Sequence, residues 1–190
     1  MTALRRALLC ALAVASNGVM AEETYVIDGA HTVPMYEIRH MGMSLQRGFF
    51  TNTLGKVTLD RGARTGSIQV DIGTGSLLTA SRVMSDVLKG VGYFNADQFP
   101  TMRYVARDVT FDGDTPVGAN GDLTLLGVTR PVPLAIADFH CGEQFLTHRP
   151  MCAAEVSATI RRSDFGMTAG LPAAVADDVR IVIPVEALRQ

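Results

Sequence analysis

Four histidines, His31, His40, His140 and His148, are the first residues in this chain able to bind a metal or move a proton. Compact zinc sites draw ligands from closely spaced Cys and His pairs. No His-x-His or His-x3-His pair occurs here. His140 adjoins Cys141, and neighbours on a strand point to opposite faces. A metal centre could arise only by assembly in space, so no metal ligand is assigned. His40 shares a period-two face with Tyr36 and Ile38. Two uses stay open for it: a hydrogen-bonded core histidine, or a polar contact to the head group of a bound molecule.

Other reactive patterns are weaker still. Gly166-Met167-Thr168-Ala169-Gly170 has the glycine spacing of a nucleophile elbow with Thr at its centre. An elbow needs a strand-turn-helix context, and no apolar helix follows. Gly73-Thr74-Gly75-Ser76 lacks the later glycine or lysine of a phosphate loop. Arg161-Arg162-Ser163-Asp164 could bind an anion, but an Arg-Asp pair that pins a strand end is the commoner use. Methionine is plentiful, and it adapts to loose apolar interiors. Only His40-Met41-Gly42-Met43 has even a faint look of a copper site. No catalytic residue is assigned, and the chain does not read as an enzyme.

These residues must be positioned by strands. Pro34-Tyr36-Ile38-His40, Val156-Ala158-Ile160 and Val179-Ile181-Ile183-Val185 each alternate with the intervening residues, the mark of a strand with one buried face. Turn signals recur at Asp60-Arg61-Gly62, Asp112-Gly113-Asp114, Gly118 to Gly121 and Leu126-Gly127. Asp122 to Leu134 reads as a strand, a tight connection at Gly127 and a second strand starting beyond Arg130-Pro131. Ser81 to Lys89 departs from the rule. Val83, Met84, Val87 and Leu88 have helical spacing, with Ser81 as N-cap and Gly90 as stop. The expected fold is all-β, an antiparallel barrel of about eight strands with one short helix. Such a barrel either fills itself with side chains or holds one ligand, and the pattern alone leaves both open.

The N-terminus reads as a secretory signal peptide. Arg5 and Arg6 precede the apolar run Ala7 to Ala15, and Val19-Met20-Ala21 is a small-x-small cleavage site. The run is too short to span a bilayer, which takes about 20 residues. The expected division is 1–21 signal peptide and 22–190 one exported domain, periplasmic or secreted. The whole chain has 17 basic and 19 acidic residues. Loss of Arg5 and Arg6 makes the remainder more acidic, and no basic cluster suggests nucleic acid. Export leaves Cys141 and Cys152, an even pair expected to close in an oxidising compartment.

Three blocks stand in order: Tyr25-x-Ile27-Asp28-x-x-His31-Thr32 with the strand to Gly42, Gly121-x-Leu123-Thr124-x-x-Gly127-Val128-Thr129-Arg130-Pro131, and Arg162 to Met167. Together they resemble the YceI-like family of secreted lipid-binding barrels. Gly48-x-Phe50, Tyr93-Phe94-Asn95 and Phe99-Pro100 fit the same pattern. Pro34, Met84-Ser85 and Val87 depart from it.

The resemblance implies a lipocalin-like barrel whose interior takes a long polyisoprenoid chain, an isoprenoid quinone or a polyprenyl compound. No cofactor beyond that lipid, no nucleic acid and no membrane span is implied, and a homodimer is common. The residues expected to line the pocket are Tyr36, Ile38, His40, Phe50, Met102, Tyr104, Leu123, Leu134, Ile136, Val156, Ala158, Ile160, Ile181 and Ile183. The alternatives are a lipid-processing enzyme using His40 and a quinone-linked partner of a membrane redox protein.

Overall fold

The computed structural model describes residues 22–190. The expected leader falls outside them. The strands are β1 Glu23–Ile27, β2 Met35–His40, β3 Ser44–Phe50, β4 Thr53–Asp60, β5 Thr65–Gly73, β6 Leu77–Thr79, β7 Thr101–Asp112, β8 Thr115–Leu125, β9 Val128–Glu143, β10 Pro150–Arg161 and β11 Val175–Arg189. The single α-helix, α1, spans Arg82–Lys89. All pairings are antiparallel, as the alternating sequence requires.

Eight strands close a ring in the order β1-β4-β5-β7-β8-β9-β10-β11, and β11 returns to β1. The other three, β2-β3-β6, continue the wall from β11. The length of β11 makes this possible. Its end, Ala187 to Arg189, pairs with β1, while Val175 to Val182 pairs with β2. Between β1 and β2 the chain turns through residues 28–34. There the Thr32 hydroxyl donates to the Glu186 carbonyl and accepts its N–H, at 3.1 and 3.0 Å. One side chain thus takes the ladder position that the missing strand leaves. Glu37 then pins the extension to the ring, accepting from Arg47 of β3 at 2.7 Å and Arg180 of β11 at 2.9 Å.

The helix forms where its spacing predicts. The Ser81 hydroxyl accepts the Met84 N–H, and the Gly90 N–H closes on the Val87 carbonyl. Phe94 follows and meets Phe50 edge to face, with ring centroids 5.3 Å apart. Cys141 and Cys152 face each other directly across β9 and β10 and are bonded, with Cα atoms 4.0 Å apart.

The β8–β9 hairpin corrects one expectation. Strand β9 begins at Val128, ahead of Arg130-Pro131. Leu126 and Gly127 both have positive φ, 53° and 75°, which gives a two-residue type I′ turn. The phase of that hairpin turns the nitrogens of Pro131 and Pro133 away from β8. Proline has no N–H to offer on that side. The β9–β10 ladder accordingly stops at Ser157 opposite Ala135, and a seam opens between the first half of β9 and the end of β10.

The end of the barrel beside the disulfide is packed. Tyr25, Leu59, Ala106, Val109, Ala119 and Ala187 are buried there.

Candidate ligand-binding cavity

The other half of the barrel is hollow. A cavity of about 630 Å³ lies inside the wall, within the range of sites that hold small molecules. Ile68, Val70, Ile72, Met102, Leu123 and Leu125 form one side, and Val156, Ile160, Val179, Ile181, Ile183 and Val185 the other. The even choice between filled core and cavity is thus resolved by depth. The disulfide end is filled and the opposite end is open.

The mouth is built from three segments: the β2–β3 turn, with His40 and Gln46; the start of α1, with Ser81, Val83 and Met84; and the loop into β11, with Ala174 and Val175. The Met41 N–H bonds to the Ala174 carbonyl at 2.9 Å, joining the first to the third.

The structure places twelve of the fourteen expected pocket residues on this one cavity: Tyr36, Ile38, His40, Phe50, Met102, Tyr104, Leu123, Leu134, Val156, Ile160, Ile181 and Ile183. Two fall elsewhere. Ile136 pairs across β9 and β10 with the cavity residue Val156 but does not itself line the hollow. Ala158 has the inward parity, but it is the first β10 residue beyond the β9 ladder. It borders a shallow groove at the seam with Pro133, Leu134 and Arg180. Parity predicts which side a residue faces, not how far along the barrel the hollow extends. His40 is exposed at the mouth, which removes the core-histidine reading.

Polar groups on the wall are few. Burial pushes the hydroxyls of Tyr36 and Tyr104 up to about 12, so both rings stay neutral at physiological pH. Tyr104 donates to the Val132 carbonyl at 3.0 Å. Thr53 Oγ1 is the buried side-chain polar atom without a partner among the described residues, and Thr53 lines the cavity.

Arg162 belongs to the run that could bind an anion, and the structure sets it apart from the strand-end pin. It is 2% exposed and lines the cavity. Its guanidinium donates to the carbonyls of Ala176, Met167 and Val175, at 2.8, 3.0 and 3.3 Å. A guanidinium has five N–H groups, so two are left beyond these bonds. Burial pushes its pKa down, opposed by the charge of Asp177. The Arg-Asp pin forms with a different acid from the one in that run: Arg161 meets Asp177, not Asp164, at 3.2 Å. The signal for Arg162 was present, because the alternation Val156-Ala158-Ile160 reaches it at the next step.

Outside the wall, His31 lies 2.9 Å from Asp28 and 3.8 Å from Glu186. This is the spatial assembly that close spacing could not show. Asp28 also accepts the Ala30 N–H, so the group orders the turn between β1 and β2.

A closed antiparallel barrel, half packed and half hollow, with apolar walls and a sparse polar mouth, defines a binding-type barrel. Residues 25–187 match the YceI-like domain, and the chain belongs to that family. It is 30% identical to a UPF0312 protein of Pectobacterium atrosepticum over 94% of this chain and 92% of that one. A UPF0312 protein of Pseudomonas aeruginosa is 29% identical over 97% and 95%. Two solved structures share the fold. Burkholderia cenocepacia BcnA has a TM-score of 0.69 and 22% identity, over 84% of this chain and 98% of that one. A polyisoprenoid binding domain from Saccharophagus degradans, implicated in plant cell wall breakdown, has a TM-score of 0.67 and 14% identity, over 87% and 98%.

Proposed function

We propose that this protein binds a long-chain isoprenoid lipid inside the barrel and carries it in an exported compartment. The observation that carries this reading is the apolar cavity of about 630 Å³ opening at one end of a closed barrel. Branched aliphatic walls gain roughly 25 cal/mol for each Å² of apolar surface removed from water. An isoprenoid tail offers such surface along its whole length. The sharing of this fold with a polyisoprenoid binding domain supports the same choice of ligand. The tail lies among Leu123, Ile160, Ile181 and Ile183, and a head group meets the polar residues of the cavity.

An enzyme built on His40 would use a carboxylate to orient the ring. Among the described residues His40 has no ion-pair partner, which favours binding over catalysis. Export accords with the leader-like N-terminus and with the Cys141–Cys152 bond.

Organic extraction of the purified protein followed by mass spectrometry tests the proposal. An isoprenoid lipid near one per barrel is expected. Recovery of an empty barrel that also takes up no added polyprenyl compound would overturn it.

A further inference from the structure

The rim of the mouth is apolar and faces solvent. Met41 and Met43, at the β2–β3 turn, are 55% and 73% exposed. Helix α1 has four apolar residues, and none of them is fully buried. Val83 and Val87, one turn apart on the same helix face, are 73% and 47% exposed. A helix laid over a finished core would bury these side chains. Single exposed apolar residues are ordinary, but a cluster around one opening marks an interaction surface.

The charge of the rim has the opposite sign to that of the chain. The three mouth segments, His40 to Arg47, Ser81 to Gly92 and Gly166 to Val175, contain Arg47, Arg82 and Lys89 against Asp86 alone. The chain as a whole has a net charge of −2. Arg47 is held by Glu37. Arg82 and Lys89 have no ion-pair partner among the described residues.

We infer that this rim docks on an anionic lipid bilayer, with Met41, Met43, Val83 and Val87 entering the interface and Arg82 and Lys89 meeting lipid phosphates. Shallow apolar insertion combined with cationic attraction is the general physics of peripheral membrane binding. Continuity with the cavity favours a bilayer over other occupants. Val83 and Met84 belong both to the exposed rim and to the cavity wall. An apolar cargo passing between bilayer and barrel would then cross no water. The inference takes its purpose from the lipid-carrier reading, while its geometry stands independently.

Flotation with vesicles of phosphatidylethanolamine and phosphatidylglycerol tests it, against neutral phosphatidylcholine vesicles. All proteins carry the same N-terminus. The wild type should float with the anionic vesicles. The double variant Met43→Asp/Val87→Asp should lose binding by about tenfold or more. Arg82→Gln and Lys89→Gln should each reduce it about fivefold, the effect of one interfacial cation. Neither Met43 nor Val87 lines the cavity, so lipid recovered from the double variant should match wild type. Circular dichroism checks folding.

Wild type that stays with the unbound fraction would overturn the inference, as would variants that float equally well. A dimer that Met43→Asp/Val87→Asp breaks, without vesicle binding, would assign the rim to a second copy and overturn it too. An empty wild-type barrel that still floats through this rim would remove the carrier reading and leave the docking surface standing.

Discussion

The ring of Tyr36 lies in the space that a side chain at Gly48 would occupy. The two residues are direct neighbours across β2 and β3, and a β-carbon at 48 would stand 2.5 Å from Tyr36 Cε1 and 2.7 Å from its hydroxyl. Tyr104 covers Gly121 in a similar way from a diagonal position across β7 and β8, where a β-carbon would meet Cζ at 2.6 Å. In both cases a missing side chain lets a tyrosine lie flat along the cavity wall.

Gly48→Ala should therefore push Tyr36 away from the wall and into the hollow. The strain is of the order of an overpacked core, about 1–3 kcal/mol. Bound lipid should fall while the far-ultraviolet circular dichroism remains that of wild type. Unchanged lipid with unchanged stability would mean that the ring moves aside freely.

Ile181 and Ala158 face each other across β11 and β10, but only Ile181 lines the hollow. Ile181→Trp should displace most of the lipid. Ala158→Phe, at the seam, should retain most of it. Lipid per barrel by mass spectrometry, with thermal melting as a folding control, decides between them. The reverse order would mean that the seam is part of the ligand site.

The disulfide joins two strands at the packed end. Its contribution should be near the lower part of the usual range, about 2–3 kcal/mol, because the ring it closes is short. Reduction or Cys141→Ser/Cys152→Ser should lower the melting temperature and leave lipid content intact. A variant that melts with wild type would show that β9 and β10 hold their register without the bond.

The Asp28–His31 pair gives stability a signed pH dependence. The hydrogen bond from His31 holds the Asp28 carboxyl below its ordinary 3.8. That contribution is present above 3.8 and is lost as pH falls through the lowered folded-state value. The hydrogen bond to Asp28, and then the charges of Asp28 and Glu186, raise His31 above 6.5. That contribution is complete below 6.5 and is lost as pH rises through the raised value. The two overlap between 3.8 and 6.5. The melting-temperature difference between wild type and His31→Asn should peak in this window and shrink on both sides. The pair is exposed to solvent, so the effect is small and weakens with salt. A difference that is flat with pH would remove the pair from the stability of the turn.

Cleavage after Ala21 should leave Glu22 as the first residue. N-terminal sequencing of protein from the extracytoplasmic fraction checks this, and recovery of Met1 there would refute it.

Local chemistry in the sequence determined the alternating strands, the helix between Ser81 and Gly90, and the even pair Cys141 and Cys152. Each rests on a signal that a few neighbouring residues carry: a period of two, a cap and a stop, or a count of thiols. The inward parity of β10 and β11 was equally legible, and one more step of it reaches Arg162. Tertiary structure alone decided the rest. A barrel of eight strands with three more attached depends on β11 pairing with both β1 and β2, and those partners are far apart in the chain. No local pattern specifies such a split. Depth was equally hidden. Ala158 and Ile160 share one parity on β10, yet one lies at the seam and the other on the cavity, while Ile136, paired with the cavity residue Val156, does not line it. Their fates follow from where Pro131 and Pro133 end the β9–β10 ladder and where the core near the disulfide stops, and both are set by the closure of the whole wall.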